Sequence, residues 1–207
     1  EDTESGIHFT SDNENVTTVS ADGTVTIKNA GTAKITVSMD ESQNFLAVSK
    51  EVTVTVAPKE ITVTPDNASK VYGESDKEFT YTPSGLVGED TLSDITLSRA
   101  EGDNVGTYEI TAAQKKDANP NYSVKFNKGT FTINPKEITV TITPNGGTYE
   151  GNIISAAAVL NGLVGEDKPE IILTYAGKAN DGTELNGTKP PVLAGTYTVT
   201  ASITDSN

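Results

Sequence analysis

The chain lacks cysteine and tryptophan and has a single arginine, and each shortage excludes a class of site. Without cysteine it forms neither disulfides nor thiolate metal centres. A formal net charge of −14, with Arg99 as the only guanidinium, opposes contact with a phosphate backbone or an anionic membrane. No apolar run approaches the ~18 residues that a membrane-spanning helix needs. We therefore expect no nucleic-acid partner and no membrane insertion within this segment.

The composition is typical of short strands joined by turns. Hydrophobic residues make up 34% of the chain and aromatic residues 6%, so each core must be thin. Threonine and valine are abundant, and glycine, asparagine and aspartate interrupt every apolar stretch. The sequence therefore predicts a mainly β protein.

A tandem repeat with a constant interval organises the chain. Three landmarks keep the interval: residues 58–64 recur letter for letter as 135–141, residues 85–90 (Gly-Leu-Val-Gly-Glu-Asp) recur as 162–167, and Tyr72 recurs as Tyr149. We infer three tandem modules, which we call the first module (1–57), the first repeat (58–134) and the second repeat (135–207).

The first module has the pattern of alternating strands. Asp22-Gly23 predicts a type I′ hairpin turn, and Ala33, Ile35 and Val37 alternate with polar residues. Residues 19–26 and 30–37 resemble the core of the bacterial Ig-like domain, group 2. The resemblance covers about residues 9–57 and implies an Ig-like β-sandwich whose N-terminal strands are missing or shortened, because only residues 1–8 precede it. An incomplete sandwich exposes a strand edge.

In the first repeat, Pro83 is expected to end a strand that contains Phe79 and Tyr81. Residues 88–94 predict a short helical turn with Asp90 as its N-cap. A tight reversal at residues 127–129 predicts a closing hairpin. The repeat resembles the MBG-type repeats of bacterial surface proteins, of the kind marked by a Tyr-Gly pair; the matching segments are 59–63, 72–73, 85–87, 106–108 and 129–133. The resemblance implies a small β-grasp-like module that serves as a stalk or display domain.

The second repeat departs from the first in three places. Ala156 and Ala158 replace Phe79 and Tyr81, and an insertion at about residues 177–189 separates the middle strands. Residues 122–133 have no counterpart, so we expect this repeat to lack its closing hairpin. At each junction a single proline, Pro58 or Pro135, stands where a flexible linker would be, which predicts an extended and fairly stiff rod.

No residue is predicted to be catalytic, cofactor-binding or metal-binding. His8 is the single histidine and has no cysteine partner, and the recurring carboxylate pairs 89–90 and 166–167 fit turns better than acid–base chemistry. Residues 12–15 and 180–182 offer oxygen atoms to Ca²⁺, without the regular spacing of a calcium loop. Lys59 and Asn134 are the one pair suggestive of an isopeptide bond, which their exposed positions beside prolines make improbable.

These observations predict a non-catalytic stalk segment of a secreted or surface-anchored bacterial protein or adhesin, which spaces and displays other domains. The alternative is a carbohydrate- or mucin-binding module attached to a surface glycosidase, with its ligand at the 177–189 insertion. A partner would then be an extracellular protein or glycan of unknown identity. Open strand edges also predict self-association. We expect no cofactor and no enzymatic activity.

Overall fold

The computed structural model describes residues 6–153 and 155–204. The acidic lead at residues 1–5 and the last three residues, 205–207, lie outside the described residues. Within the described ranges the chain forms strands, turns and bends, and it contains no helix. The prediction of a mainly β protein is confirmed.

The first module contains β1 (Ile7–Ser11), β2 (Thr17–Val19), β3 (Val25–Ile27), β4 (Gly31–Met39) and β5 (Val48–Val56). β4 lies between β1 and β5 in an antiparallel sheet, and β2 pairs with β3. Its small core is built on Val16, Thr17, Ala33 and Ile35, all at most 5% exposed. Ala33 and Ile35 are buried because alternate residues of β4 face the same side.

The hairpin predicted at Asp22-Gly23 exists, but its turn type was predicted wrongly. Val19 pairs with Val25, which leaves a loop at residues 20–24. Only Gly23 in this loop has a positive φ, at 85°, whereas a type I′ turn needs two consecutive positive values. The Asp22 carboxylate instead accepts hydrogen bonds from the Ser20 hydroxyl and the Thr24 amide, which closes the longer loop.

The first repeat contains β6 (Lys59–Pro65), β7 (Ala68–Val71), β8 (Tyr81–Ser84), β9 (Ile95–Arg99), β10 (Gly106–Gln114), β11 (Tyr122–Phe126) and β12 (Gly129–Asn134). β6 lies between β11 and β8; β9 pairs with β10, and β7 with β12. Five apolar side chains of this repeat are at most 3% exposed: Ile61, Val63, Ile110, Phe131 and Ile133.

The closing hairpin predicted around residues 127–129 is wrong. β11 and β12 do not pair with each other: β11 runs parallel to β6, and β12 runs parallel to β7. Both ladders have the same offset along the chain, as in the pairs Phe126 with Val63 and Phe131 with Ala68. The segment 122–134 therefore follows the segment 59–71 in parallel. Such parallel ladders also differ from the antiparallel sheets of an Ig-type sandwich.

Two further local predictions in this repeat are wrong. Residues 88–94 form turns and bends with no helical turn. Pro83 does not end a strand but lies inside β8, opposite Val63. β8 is an edge strand of its sheet, where a residue without an N–H is tolerated because no second neighbour requires the donor.

The second repeat contains β13 (Thr139–Thr143), β14 (Ala157–Asn161), β15 (Glu170–Ala179), β16 (Glu184–Gly187) and β17 (Gly195–Thr204). The pairing of Thr139 with Asn161 repeats the pairing of Thr62 with Ser84 at the interval of the sequence repeat. The predicted insertion extends β15 and adds β16, which form a hairpin together. β17 pairs antiparallel with β15 along its whole length.

The chain divides into two compact units. Unit 1 comprises residues 1–67, 78–100 and 109–130, and unit 2 comprises residues 68–77, 101–108 and 131–207. Unit 1 therefore contains the first module and part of the first repeat, and unit 2 contains the rest of the first repeat and the second repeat. The module boundaries at residues 57–58 and 134–135 stay predictions.

Candidate functional site

Asn121 connects the first module to the first repeat within unit 1. Its side-chain oxygen accepts a hydrogen bond from the Ala30 amide at 2.8 Å, and its side-chain nitrogen donates to the Asn29 side-chain oxygen at 2.8 Å. Its backbone carbonyl accepts from the Lys59 amide at 2.9 Å. One asparagine thus bonds the turn before β4 and the first residue of β6, which lie on either side of Pro58. We call these bonds the Asn121 clasp.

The turn that carries Asn121 is anchored by Asn119, which is 9% exposed. The Asn119 side chain accepts from the Ser93 amide at 3.0 Å and donates to the Ser93 carbonyl at 3.0 Å and to the Gln114 side chain at 3.1 Å. Because Asn119 satisfies its polar groups inside the repeat, the backbone of the Asn-Pro-Asn turn is held in place. Asn121 is thereby presented to the neighbouring module in a defined position.

A second contact, within unit 2, joins the turn after β7 to the 162–167 loop of the second repeat. The Tyr72 hydroxyl donates to the Asp167 carboxylate at 3.3 Å. Gly73 has a φ of 85°, and a Cβ built on it would lie 2.5 Å from Cγ2 and 2.7 Å from Cγ1 of Val164. The Val164 side chain therefore packs directly on the backbone of Gly73, which only glycine permits. We call this contact the Tyr-Gly joint.

The loop that receives the Tyr-Gly pair has the same backbone in both repeats. Gly85 and Gly162 have φ values of 97° and 94°, and Gly88 and Gly165 have values of 55° and 57°. An amide-to-carbonyl bond closes each loop, at 3.0 Å from residue 90 to residue 87 and at 3.1 Å from residue 167 to residue 164. The recurrence that appeared in the sequence therefore marks one turn structure used twice.

The two loops have different tyrosine partners. In the first repeat, the Tyr122 hydroxyl donates to the Asp90 carboxylate and accepts from the Val87 amide at 3.1 Å. The bond to Asp90 raises the pKa of Tyr122. In the second repeat, Asp167 accepts from Tyr72 instead. Asp90, which was predicted to cap a helix, thus binds a tyrosine hydroxyl, and so does its counterpart Asp167.

A buried lysine lies just before the Tyr-Gly joint in the chain. The Lys70 side chain is 6% exposed, and its Nζ lies 2.7 Å from the Asp76 carboxylate and 3.4 Å from that of Asp103. Nζ also lies 5.9 Å from the centroid of the Phe131 ring. The hydrogen bond to Asp76, followed by the bond to Asp103, outweighs burial and raises the pKa of Lys70. The two ion pairs of Lys70 therefore connect β7 to the segments that carry Asp76 and Asp103.

The other candidates considered from the sequence have ordinary structural contacts. His8 forms an exposed pair with Asp40 at 2.9 Å. Asp12 accepts from the Lys34 amide of β4 at 2.6 Å, next to the end of β1, and Asp181 accepts from the Thr183 amide at 2.9 Å within its turn. Among residues 6–153 and 155–204 there is no group of three or more histidines and carboxylates that could hold a metal ion.

The insertion at residues 177–189 contains no aromatic side chain. Its reversal is an Asp-Gly turn in which Gly182 has a φ of 92° and the Ala179 amide donates to the Thr183 carbonyl at 2.8 Å. Sugar rings are usually bound by aromatic faces, and the insertion offers none. The prediction that it holds a glycan therefore gains no support from its structure.

An open groove of about 950 Å³ lies in the second repeat. Its walls are formed by residues 144–150, by part of 152–156, by Tyr175 and Asn180, and by residues 191–199. Four exposed apolar side chains line it: Tyr149, Ile153, Val192 and Leu193.

No helix long and apolar enough to span a membrane occurs in the part of the chain that the structure describes.

The chain is built of small β-sheets, with side-chain contacts between segments on either side of both predicted junctions. Residues 61–132, about a third of the chain, match the family model described as MBG domain (YGX type). The resemblance of the first repeat is thereby confirmed, while the bacterial Ig-like resemblance of the first module finds no such support. The family match points to a module of a bacterial cell-surface protein.

A solved structure described as surface layer protein SbsC, domains 4–9, is similar over 97% of this chain and 39% of that chain, at 15% identity and a TM-score of 0.28. The chain therefore spans well under half of that protein's length. No curated protein matches this chain.

Proposed function

We propose that this chain is a non-catalytic spacer of a bacterial cell-surface protein, in which successive modules are fixed to one another by direct contacts. The observation that supports this most strongly is the Asn121 clasp, in which two side-chain hydrogen bonds cross the junction at Pro58 and a backbone bond holds Asn121 to Lys59. A Gly/Ser linker leaves neighbouring modules free to reorient, whereas bonded residues on both sides of a junction restrain them. Restrained joints let a serial array hold a distal domain at a defined distance.

The Tyr-Gly joint supports the same proposal at the second junction. Its apolar part is the packing of the Val164 side chain on the Gly73 backbone, and its polar part is the hydrogen bond from Tyr72 to Asp167. Tyr72, Val164 and Asp167 are sequence landmarks of the repeat, whereas Gly73 has Glu150 as its counterpart in the second repeat. The joint is therefore specific to the junction between these two repeats.

The carbohydrate-binding alternative stays a prediction. It required a ligand surface on residues 177–189, and that segment is a polar hairpin without aromatic side chains. We therefore favour the spacer function over it.

The spacer proposal is tested by measuring distances across the first junction with paired spin labels. The chain has no cysteine, so Lys50→Cys and Ser84→Cys, both exposed, give one label in each module. We expect a single narrow distance distribution, which broadens when Asn121→Ala removes the two side-chain bonds of the clasp. Asn127→Ala is the matched control, because its side chain donates to Thr64 inside the first repeat at 3.0 Å. A broad distribution in the unmodified chain would refute the proposal.

A further inference from the structure

The second repeat has an open strand edge at a position that is filled in the first repeat. β13 corresponds to β6 and pairs with β14 in the register in which β6 pairs with β8. β6 has β11 on its other side, whereas β13 pairs with β14 alone within the described part of the chain. Backbone groups on that edge are thus available to another strand.

The backbone groups that face this edge can be assigned from the first repeat. The Val63 carbonyl accepts from the Asn127 amide at 2.9 Å, so Val63 directs its carbonyl toward the segment that follows β11. Val140 is its counterpart and has the same register with the neighbouring strand. The Val140 carbonyl therefore faces the open edge and lacks the ladder partner that Val63 has in the first repeat.

The groove described above continues this edge. In the first repeat, β12 pairs with β7, and its Phe131 and Ile133 are each 1% exposed. The counterpart of β7 is residues 145–148, which form no strand and instead line the groove. The core of the first repeat is less completely buried in the second: Val63 is fully buried, whereas its counterpart Val140 is half-buried.

We propose that β13 and the groove form an acceptor site for one extended β-segment, which binds parallel to β13 and continues over residues 144–149. The occupant to which the structure points is a segment with the pattern of residues 121–134, because that segment fills the equivalent place in the first repeat. It has three alternating apolar residues (Tyr122, Val124, Phe126) to pair with the edge, and two (Phe131, Ile133) to enter the groove. Main-chain bonds supply affinity and the alternate side chains supply selectivity.

The geometry excludes a hairpin as the occupant. β11 and β12 do not pair with each other, and each runs parallel to a partner that lies far earlier in the chain. A parallel partner cannot be joined to β13 by a tight turn, since parallel strands need a long crossover. The occupant is therefore a segment that is distant in sequence from β13, as residues 122–134 are distant from β6 and β7 in the first repeat.

The test uses the full chain and a synthetic peptide with the sequence of residues 120–134. We expect one peptide to bind per chain, and amide exchange to slow at residues 138–142 but not at residues 61–65. N-methylation of the peptide amide that corresponds to Asn127 should weaken binding by about tenfold, because it removes the bond to the Val140 carbonyl. N-methylation at the Phe126 position is the matched control, since alternate amides of a strand face opposite sides.

Two variants of the protein locate the site. Tyr149 and Val159 are 59% and 58% exposed, but only Tyr149 lines the groove. We expect Tyr149→Lys to weaken peptide binding by about tenfold and Val159→Lys to leave it unchanged. Three results would overturn the proposal: no binding at millimolar peptide, equal binding of a scrambled peptide, and a concentration-dependent dimer in which β13 of one chain protects β13 of another. Displacement of the peptide by a glycan would also overturn the assignment of the occupant.

Discussion

The Tyr-Gly joint makes a sharp prediction about Gly73. Replacing it with alanine forces a side chain onto a backbone with a φ of 85°, which costs roughly 1–2 kcal/mol for an L-residue. The new Cβ would also lie 2.5 Å from Val164, and overpacking of this kind costs about 1–3 kcal/mol. We expect Gly73→Ala to destabilise the joint by about 2–5 kcal/mol, the sum of these two contributions.

Amide hydrogen exchange measures this loss of stability at the Tyr-Gly joint itself. The Asp167 amide donates to the Val164 carbonyl at 3.1 Å, so its protection reports on the loop that packs against Gly73. Because each 1.4 kcal/mol changes an equilibrium tenfold, protection should fall by about 30- to 4000-fold. Local exchange suits this chain better than one global melting curve, since an array of modules need not unfold in a single step.

Two further variants separate strain from contact. Gly165 lies in the same loop with a φ of 57° and nothing within 4 Å of a built Cβ, so Gly165→Ala measures backbone strain alone. Val164→Ala removes both methyl groups that the Gly73→Ala side chain would meet, and the double variant should recover the contact part of the loss. If Gly73→Ala costs no more than Gly165→Ala, the packing of Val164 on Gly73 is not a feature of the protein in solution.

Three other perturbations follow from the same structure. Phe131→Ala, at a ring that is 1% exposed, should destabilise β12 by about 3–5 kcal/mol, measured by exchange of the β12 amides against unchanged β2 and β3. Tyr122→Phe removes the hydroxyl that donates to Asp90 and should lower protection of the Asp90 amide by about tenfold, with Tyr108→Phe as the control. Because the pKa of Lys70 is raised above its ordinary value of 10.5, its contribution to stability is fully present below that pH and is lost as the pH rises through the raised value. Lys70→Met should therefore abolish the fall in the unfolding free energy of unit 2 at alkaline pH. An unchanged fall would contradict the assignment of this pH dependence to Lys70.

The elements that alternate strictly were predictable from the sequence. Val52, Val54 and Val56 follow the period of two and lie in β5, and the repeat interval located β13 from β6. The parallel pairing was not predictable, because a tight reversal at residues 127–129 looks the same whether the flanking strands pair with each other or with earlier strands. Pairing between distant segments depends on the cores they share, and a local pattern does not encode it.

The joints were only half visible in the sequence. Tyr72 and residues 162–167 stood out as recurring landmarks, yet nothing in the pattern indicated that one lies against the other. In the sequence, Asn121 stands in an Asn-Pro-Asn turn and starts an Asn-x-Ser tripeptide, and neither pattern indicates a contact with another module. Its two side-chain bonds, to Asn29 and Ala30, depend on how two modules meet. A polar residue in a turn that faces a proline-marked junction is the signal that could have found it.

The central claim is that modules meet at fixed joints, and nitrogen-15 relaxation tests it most directly within unit 2. β7 belongs to the first repeat, whereas β15 and β17 belong to the second. The account predicts that amides of all three strands report the same overall tumbling time, and that a Gly73→Val substitution makes β7 tumble separately from β15 and β17. Separate tumbling times in the unmodified protein would contradict the account.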